Sequence, residues 1–185
     1  EMIHRYLAGS LGIGVVIIAA IHLYYKRHIG ISLSLIALII FQALLGLWTV
    51  TLKLHPVSVM LHLLGGFLTA SLLFCLLLKK GNQNPSRNIG QMIFIAIILQ
   101  VLFGGWVSSN YAALICPDFP YCQGSFFPPM SFKAAFAPSL PIGNNYEYGV
   151  LNNTERVTIH LTHRYFAVIL TTFIIAYLYH CHQKK

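Results

Sequence analysis

Residues 31–50 read ISLSLIALIIFQALLGLWTV, twenty residues without a charged side chain. At about 1.5 Å per residue such a helix is roughly 30 Å long, which matches the hydrocarbon core of a bilayer. Apolar segments of similar length recur along the chain, and the five candidates are Ile3–Tyr24, Ile31–Val50, Val57–Leu78, Ile89–Tyr111 and Val157–Tyr179. The sequence therefore predicts an all-α membrane protein, a polytopic bundle with five transmembrane helices.

The composition of the chain agrees with this fold class. Of its 185 residues, 57% are hydrophobic and only 9% are charged, whereas soluble domains carry about 25% charged residues. The net charge of +8 does not indicate nucleic-acid binding, because the basic residues form short runs between apolar segments rather than a patch interleaved with aromatic side chains. We therefore expect the lipid bilayer, and no nucleic acid, as a partner.

The charges of the connectors predict the orientation of the bundle. The connectors at residues 25–28, 79–88 and 183–185 carry seven basic residues and no acidic one. The opposite ends hold five basic residues but also all four acids of the chain. The positive-inside rule places the first set in the cytoplasm and the second set outside.

Three histidines are predicted to lie in one layer near the outer face. The motif His-Arg-Tyr-x-Ala occurs at residues 4–8 and again at residues 163–167, in segments that enter the membrane from outside. His4, His62 and His163 each lie roughly 4–8 residues inside such a segment, which corresponds to about 6–12 Å of helix. Since an ionisable residue inside a membrane is costly, this shared depth predicts a layer of ligand sites.

A second repeat, Gln-x-Leu-x-Gly-x-Trp, occurs at residues 42–48 and 100–106. Its glycines are expected to allow close helix packing, and its tryptophans to anchor the helices at the membrane interface. The identical spacing favours a duplicated origin, which by itself predicts no chemistry.

The long outer connector contains two cysteines, Cys116 and Cys122, six residues apart. On the oxidising side of a membrane this spacing favours a disulfide, while a redox-active thiol pair and a metal site are the alternatives. His55 precedes Pro56 in a short outer turn and is expected to be exposed rather than a ligand.

The histidine layer suggests heme chemistry, because two helices of a bundle can each supply one axial imidazole to heme iron. His4 and His62 could bracket one porphyrin. Glu1 stands three residues before His4, a spacing that puts both side chains on one helix face, where a carboxylate could accept a proton. His160 takes the place of Glu1 in the second motif, so it is expected to line a second site without touching iron.

The arginines that follow the two motif histidines have two interpretations of equal weight. Arg5 and Arg164 could each donate a bidentate pair of hydrogen bonds to the carboxylate of a heme propionate near the outer face. They could equally extend towards the membrane interface.

Four motifs together resemble the heme A synthase family: EMIHR at residues 1–5, LHLLGG at 61–66, CPDFPYC at 116–122 and HLTHR at 160–164. The resemblance covers nearly the whole chain. It implies an eight-helix membrane enzyme with a pseudo-two-fold, duplicated four-plus-four helix architecture. Enzymes of this family oxidise the C8 methyl group of heme O to the formyl group of heme A, which terminal oxidases use.

The resemblance also implies a role for each candidate residue. His4 and His62 would hold the substrate heme O, with Glu1 as the catalytic carboxylate beside it. His163 would be one axial ligand of a cofactor, heme b, whose other ligand would lie on the eighth helix of the family, which is expected to be absent from this chain. The cysteine pair matches an outer-loop disulfide of the family.

By the same resemblance the chain is expected to be a fragment that covers the second through sixth helices. Residues 1–80 would form three helices of the N-terminal half, with the substrate heme site, and residues 81–88 a cytoplasmic linker. Residues 89–185 would supply two helices and the long outer loop of the C-terminal half, with an incomplete heme b site.

The location and partners follow from the resemblance as well. We expect a multi-pass protein of the bacterial inner membrane with its histidine layer near the periplasmic face, and a mitochondrial location is less favoured. Heme O synthase and an electron donor are the expected protein partners. The alternative functions are a non-catalytic bis-histidine cytochrome b, which has no use for Glu1, and a transporter. The transporter is disfavoured because the ionisable residues lie at helix ends rather than at the midplane.

Overall fold

A computed structural model describes residues 2–77, 87–137 and 144–183 of the chain. Within these residues the secondary structure is helical, with no named strand. The helices are α1 (Met2–Tyr24), α2 (Ile29–Thr51), α3 (Pro56–Leu77), α4 (Arg87–Ser109), α5 (Phe132–Ala135) and α6 (Asn153–Gln183). Five of them, all except the four-residue α5, are long and apolar enough to cross a membrane.

The five predicted spans are confirmed, and the main difference is the length of α6. This helix begins at Asn153, four residues before the predicted start. Its first turn is stabilised by Glu155, whose carboxylate accepts a hydrogen bond of 2.8 Å from the backbone amide of Asn152. Because hydropathy does not register this kind of cap, the sequence placed the start at the first apolar residue. The linker predicted at residues 81–88 falls mostly on residues 78–86, which lie outside the described residues.

The long helices pack in series, each against its neighbour in the chain. Helix α1 packs on α2, α2 on α3, α3 on α4, and α4 on α6, while the short α5 rests on α6. The bundle therefore contains two helical hairpins side by side, α2–α3 and α4–α6, in contact through α3 and α4. We call the end of the bundle that carries the 110–152 connector the loop end.

Side-chain exposure fits a bundle surrounded by lipid. Large apolar side chains are exposed on every long helix, for example Leu11, Leu47, Phe67, Ile95 and Ile175. Exposed apolar helix surface is stable when lipid covers it, and the backbone polar groups are satisfied within each helix. The chain is thus a multi-pass membrane protein.

Many of the buried side chains lie at the loop end, beneath the long connector. Trp106 is 8% exposed and its indole N–H donates a 2.9 Å hydrogen bond to the carbonyl of Ala135 in α5. Trp48, the other tryptophan of the repeat, is 43% exposed. The interface-anchor interpretation therefore suits Trp48, whereas Trp106 holds the connector onto α4.

The turn between α2 and α3 is also covered by this connector. The backbone amide of Tyr146 donates to the carbonyl of Lys53 at 3.1 Å. The ring of Tyr146 packs edge-on against His55, with centroids 5.2 Å apart. The expectation that His55 is exposed is wrong, because it is buried under Tyr146.

Candidate functional site

The imidazole of His62 packs directly on a glycine of the facing helix. His62 lies on α3 and Gly46 on α2, and a Cβ atom added at Gly46 would stand 3.3 Å from Cε1 of His62. Such a separation is tighter than ordinary van der Waals contact between carbon atoms. The absence of a side chain at position 46 therefore creates the space that the ring occupies.

The second hairpin repeats this arrangement with His163 and Gly104. A Cβ atom added at Gly104 of α4 would stand 3.1 Å from Cε1 of His163 on α6. Gly46 and Gly104 each lie five residues before the last residue of their helix, Thr51 and Ser109. Both imidazoles thus lie at the same depth, about 7–8 Å below the loop ends of these helices.

A glutamine lies one helical turn below each glycine, on the same face. In the second hairpin the side-chain amide nitrogen of Gln100 lies 3.0 Å from Nδ1 of His163 and 3.4 Å from Nε2. In the first hairpin the amide nitrogen of Gln42 fills the place that a Cβ atom at Gly65 would take. Here Nδ1 of His62 and Nε2 of Gln42 are both buried, without a hydrogen-bond partner among the described residues.

Sequence reasoning missed the glycines and glutamines as site residues. The signal was present in the Gln-x-Leu-x-Gly-x-Trp repeat, since positions i and i+4 share one helix face. The sequence alone did not show which helix packs against that face. The structure pairs each copy of the repeat with a histidine on the returning helix.

The N-terminal candidates occupy the exposed start of α1. His4 lies in the first turn of α1 and is exposed. It is close enough to His62 for their charges to interact. Arg5 is also exposed on α1. Glu1, the predicted catalytic carboxylate, lies outside the described residues. The pairing of His4 with His62 across one ligand stays a prediction.

Both ring nitrogens of His160 are engaged in hydrogen bonds. Nδ1 donates to the carbonyl of Ala112 at 3.0 Å, and Nε2 accepts from Arg164 at 2.9 Å. Since a carbonyl can only accept and a guanidinium can only donate, these partners fix the neutral tautomer with its proton on Nδ1. His160 therefore joins α6 to the start of the connector through its side chain, one helical turn from His163.

Arg164 holds the cysteine loop onto α6. One terminal nitrogen donates to the carbonyls of Asp118 and Tyr121, at 3.1 and 2.8 Å. The other donates to the carbonyl of Cys116 at 3.2 Å as well as to His160. These contacts differ from both sequence interpretations, propionate binding and extension to the interface. The propionate role stays a prediction, and it would require Arg164 to give up at least one of these bonds.

The loop itself is closed by a disulfide between Cys116 and Cys122. Inside it, the carboxylate of Asp118 accepts hydrogen bonds of 2.8 Å from the backbone amides of Gln123 and Gly124. These two residues form a tight turn with φ values of 53° and 79°. The disulfide, the carboxylate and Arg164 together give the loop one fixed shape beside the second histidine.

Asp118 makes the loop sensitive to acid. The amides of Gly124 and Gln123, helped by the charge of Arg164, hold the pKa of Asp118 below its ordinary value of 3.8. A lowered pKa in the folded state means that the stabilisation is complete above this ordinary value and is lost as the pH falls below it. At pH 6 we expect a phosphine reductant to open the disulfide faster in Asp118→Asn than in the unsubstituted protein, and we expect this difference to shrink at pH 3, where protonation of Asp118 begins to remove the same stabilisation. Glu147→Gln, in the same connector, is the control and should match the unsubstituted protein at both pH values.

The fold and the site define a class: multi-pass membrane proteins that hold two imidazoles in one layer, the second of them on the helix that carries a disulfide-closed loop. The sequence profile of the family described as cytochrome oxidase assembly protein (COX15-CtaA) matches residues 1–185. The chain belongs to this family.

Several curated proteins named heme A synthase are similar to the chain. The protein from Shewanella oneidensis is 38% identical over 189 residues, covering 97% of this chain and 57% of the relative. The protein from Shouchella clausii is 25% identical over 95% of this chain and 56% of its own length. The protein from Halalkalibacterium halodurans is 32% identical over 71% of this chain and 49% of its own length. The chain thus spans about half the length of these relatives. No solved structure matches it.

Proposed function

We propose that the chain is the part of a heme A synthase that binds heme. Such an enzyme oxidises the C8 methyl group of heme O to the formyl group of heme A, which terminal oxidases use. The names of the curated relatives support this activity. The observation that carries the proposal is the pair of imidazoles, His62 and His163, each packed on a bare glycine at one depth. Two such rings in one layer suit two hemes, one in each hairpin.

The residues of both hairpins fit a heme. A histidine that would hold heme iron needs an imidazole whose orientation is fixed by packing, and Gly46 and Gly104 provide a flat surface for the rings. A buried ring nitrogen without a partner among the described residues, such as Nδ1 of His62, is expected where a ligand, or a hydrogen bond from a neighbouring group, completes the site. Heme b, the cofactor proposed for the His163 site, supplies electron transfer when it is bound.

The roles of the chain's own residues follow from the geometry and the motifs. His4 and His62 would bind and orient heme O, so that its C8 methyl group comes near Glu1. Conversion of a methyl group to an aldehyde adds one oxygen atom, from water or dioxygen, and removes four electrons, which dioxygen or another external oxidant would take up. Glu1 would accept a proton released from that carbon. Arg5 and Arg164 would face the propionates, while His160 would line the second site.

The wider setting is part of the same proposal. We place the protein in the bacterial inner membrane, with the loop end on the periplasmic side, because the connectors of the opposite end carry only basic charge. Residues 1–80 would belong to the substrate half and residues 89–185 to the heme b half. Heme O synthase would supply the substrate, and an electron donor would be the second protein partner.

The test is conversion of heme O by the full-length protein in membranes, followed by extraction and chromatography of the hemes. We expect heme A to accumulate, and His62→Ala to weaken heme O binding at least tenfold, because loss of a ligand costs no less than the 10- to 100-fold effect of losing an outer-shell partner. His28→Ala, in the turn at the opposite end of the bundle, is the matched control and should behave as the unsubstituted protein. Heme b without any heme A, or equal effects of the two substitutions, would contradict the proposal.

A further inference from the structure

Gln100 places a polar amide in an apolar helix, directly against the imidazole of His163. The helix window around it has a mean hydropathy of 2.0, so a buried amide there is costly unless it is used. The amide nitrogen donates to Nδ1 of His163 at 3.0 Å and contacts the backbone carbonyl of the same residue at 3.3 Å. The other end of the amide, Oε1, is buried without a hydrogen-bond partner among the described residues.

The amide nitrogen faces both ring nitrogens of His163, Nδ1 at 3.0 Å and Nε2 at 3.4 Å. Because an amide nitrogen can only donate, the shorter contact makes Nδ1 the acceptor, which suits the tautomer with the ring proton on Nε2. A histidine that binds a metal through Nε2 needs the opposite tautomer, with the proton on Nδ1 and an acceptor facing it. The unpartnered Oε1 of Gln100 is such an acceptor, attached to the same amide.

We propose that Gln100 is the positioning residue of His163, and that its Oε1 would accept a hydrogen bond from Nδ1–H when Nε2 holds the iron of heme b. A half-turn about the Cγ–Cδ bond of Gln100 exchanges the oxygen and nitrogen positions without moving the helix. That rotation and the shift of the ring proton are coupled, because each amide orientation matches one tautomer only. The inference rests on the proposed function, in that it takes heme b as the ligand of His163.

The first hairpin contains the same residue types without this contact. There the amide nitrogen of Gln42 lies against Gly65, and Nδ1 of His62 has no hydrogen-bond partner among the described residues. The inference is therefore confined to Gln100, whose amide touches the ring.

The experiment uses the full-length protein, titrated with heme b in detergent and followed by absorption spectra and redox titration. Gln100→Leu removes the acceptor, and we expect heme b binding at this site to weaken about 10- to 100-fold. Gln100→Glu keeps an acceptor and strengthens it, so heme b should be retained with a more negative midpoint potential, because a more basic imidazole favours ferric iron. Gln91→Leu makes the same chemical change on an exposed part of α4 and is the matched control.

The outcomes separate this inference from the proposed function. If the unsubstituted protein binds heme b but Gln100→Leu matches Gln91→Leu in affinity and potential, the inference is overturned and the proposed function stands. The inference is also overturned if Gln100→Glu loses heme b as Gln100→Leu does, since an acceptor would then not be what matters. If the unsubstituted protein binds no heme b at all, the proposed function fails first.

Discussion

Gly104→Leu is expected to weaken heme b binding at His163 by up to about a hundredfold, with the protein still folded in the membrane. A Cβ atom at this position would stand 3.1 Å from Cε1 of His163, so the branched part of a leucine would occupy the volume of the ring. Overpacking of this kind costs about 1–3 kcal/mol. Since about 1.4 kcal/mol is a tenfold change in affinity, the upper end corresponds to a loss of roughly a hundredfold. The measurement is heme b per purified full-length protein, read from the absorption spectrum.

Two further substitutions make this result interpretable. Gly104→Ala adds only the Cβ atom, which the ring can accommodate by moving a few tenths of an ångström, so its effect should be intermediate. Gly90→Leu makes the larger change on the same helix, where an added Cβ atom would meet nothing within 4 Å. Equal heme content in Gly104→Leu and Gly90→Leu would refute the idea that the His163 ring needs the space left by the missing side chain at Gly104.

Much of the fold could be predicted because a membrane span requires little more than apolar length. The segment at residues 31–50 and its four counterparts were identified from hydropathy alone, and α2 was found as Ile29–Thr51. The start of α6 could not be found in this way. It depends on the hydrogen bond between Glu155 and the backbone of Asn152, which is a local polar contact within a connector.

The candidate site was predicted in part, and its missing elements depend on tertiary contacts. The motifs single out His62 and His163 because ionisable groups are conspicuous in an apolar helix. Gly46, Gly104 and Gln100 carry no such signal, since glycine and glutamine have many uses in helix packing. Only the pairing of α2 with α3, and of α4 with α6, shows that these residues face an imidazole.

The same reasoning explains why the contacts of Arg164 with the loop could not be predicted. Its position after His163 suggested a ligand carboxylate or the membrane interface as partner. The structure instead directs it to backbone carbonyls of the loop between Cys116 and Cys122. A carbonyl is present at every residue, so no sequence pattern can single out three of them as the partners of one arginine.

Glu1→Gln is expected to stop heme A formation while heme binding persists. Glu1 stands three residues before His4 in the sequence, a spacing typical of two side chains on one helix face. A carboxylate beside the substrate methyl group can accept a proton, and a positioned general base contributes about 10²- to 10⁴-fold to a rate. Glutamine has nearly the same shape but cannot serve as this base. Conversion of heme O should therefore fall by about 10²- to 10⁴-fold.

To distinguish a catalytic role of Glu1 from a binding role, bound heme and the rate of heme O conversion are measured in the same preparation of the full-length protein. A purely electron-carrying cytochrome b would need the histidines but not Glu1, so Glu1→Gln would leave its properties unchanged. Glu147→Gln, an exposed carboxylate of the long connector, provides a matched control that should convert heme O at the unsubstituted rate. Normal turnover in Glu1→Gln would rule out the catalytic role. Loss of bound heme O together with turnover would instead assign Glu1 to binding, because the base acts on a substrate that is already in place.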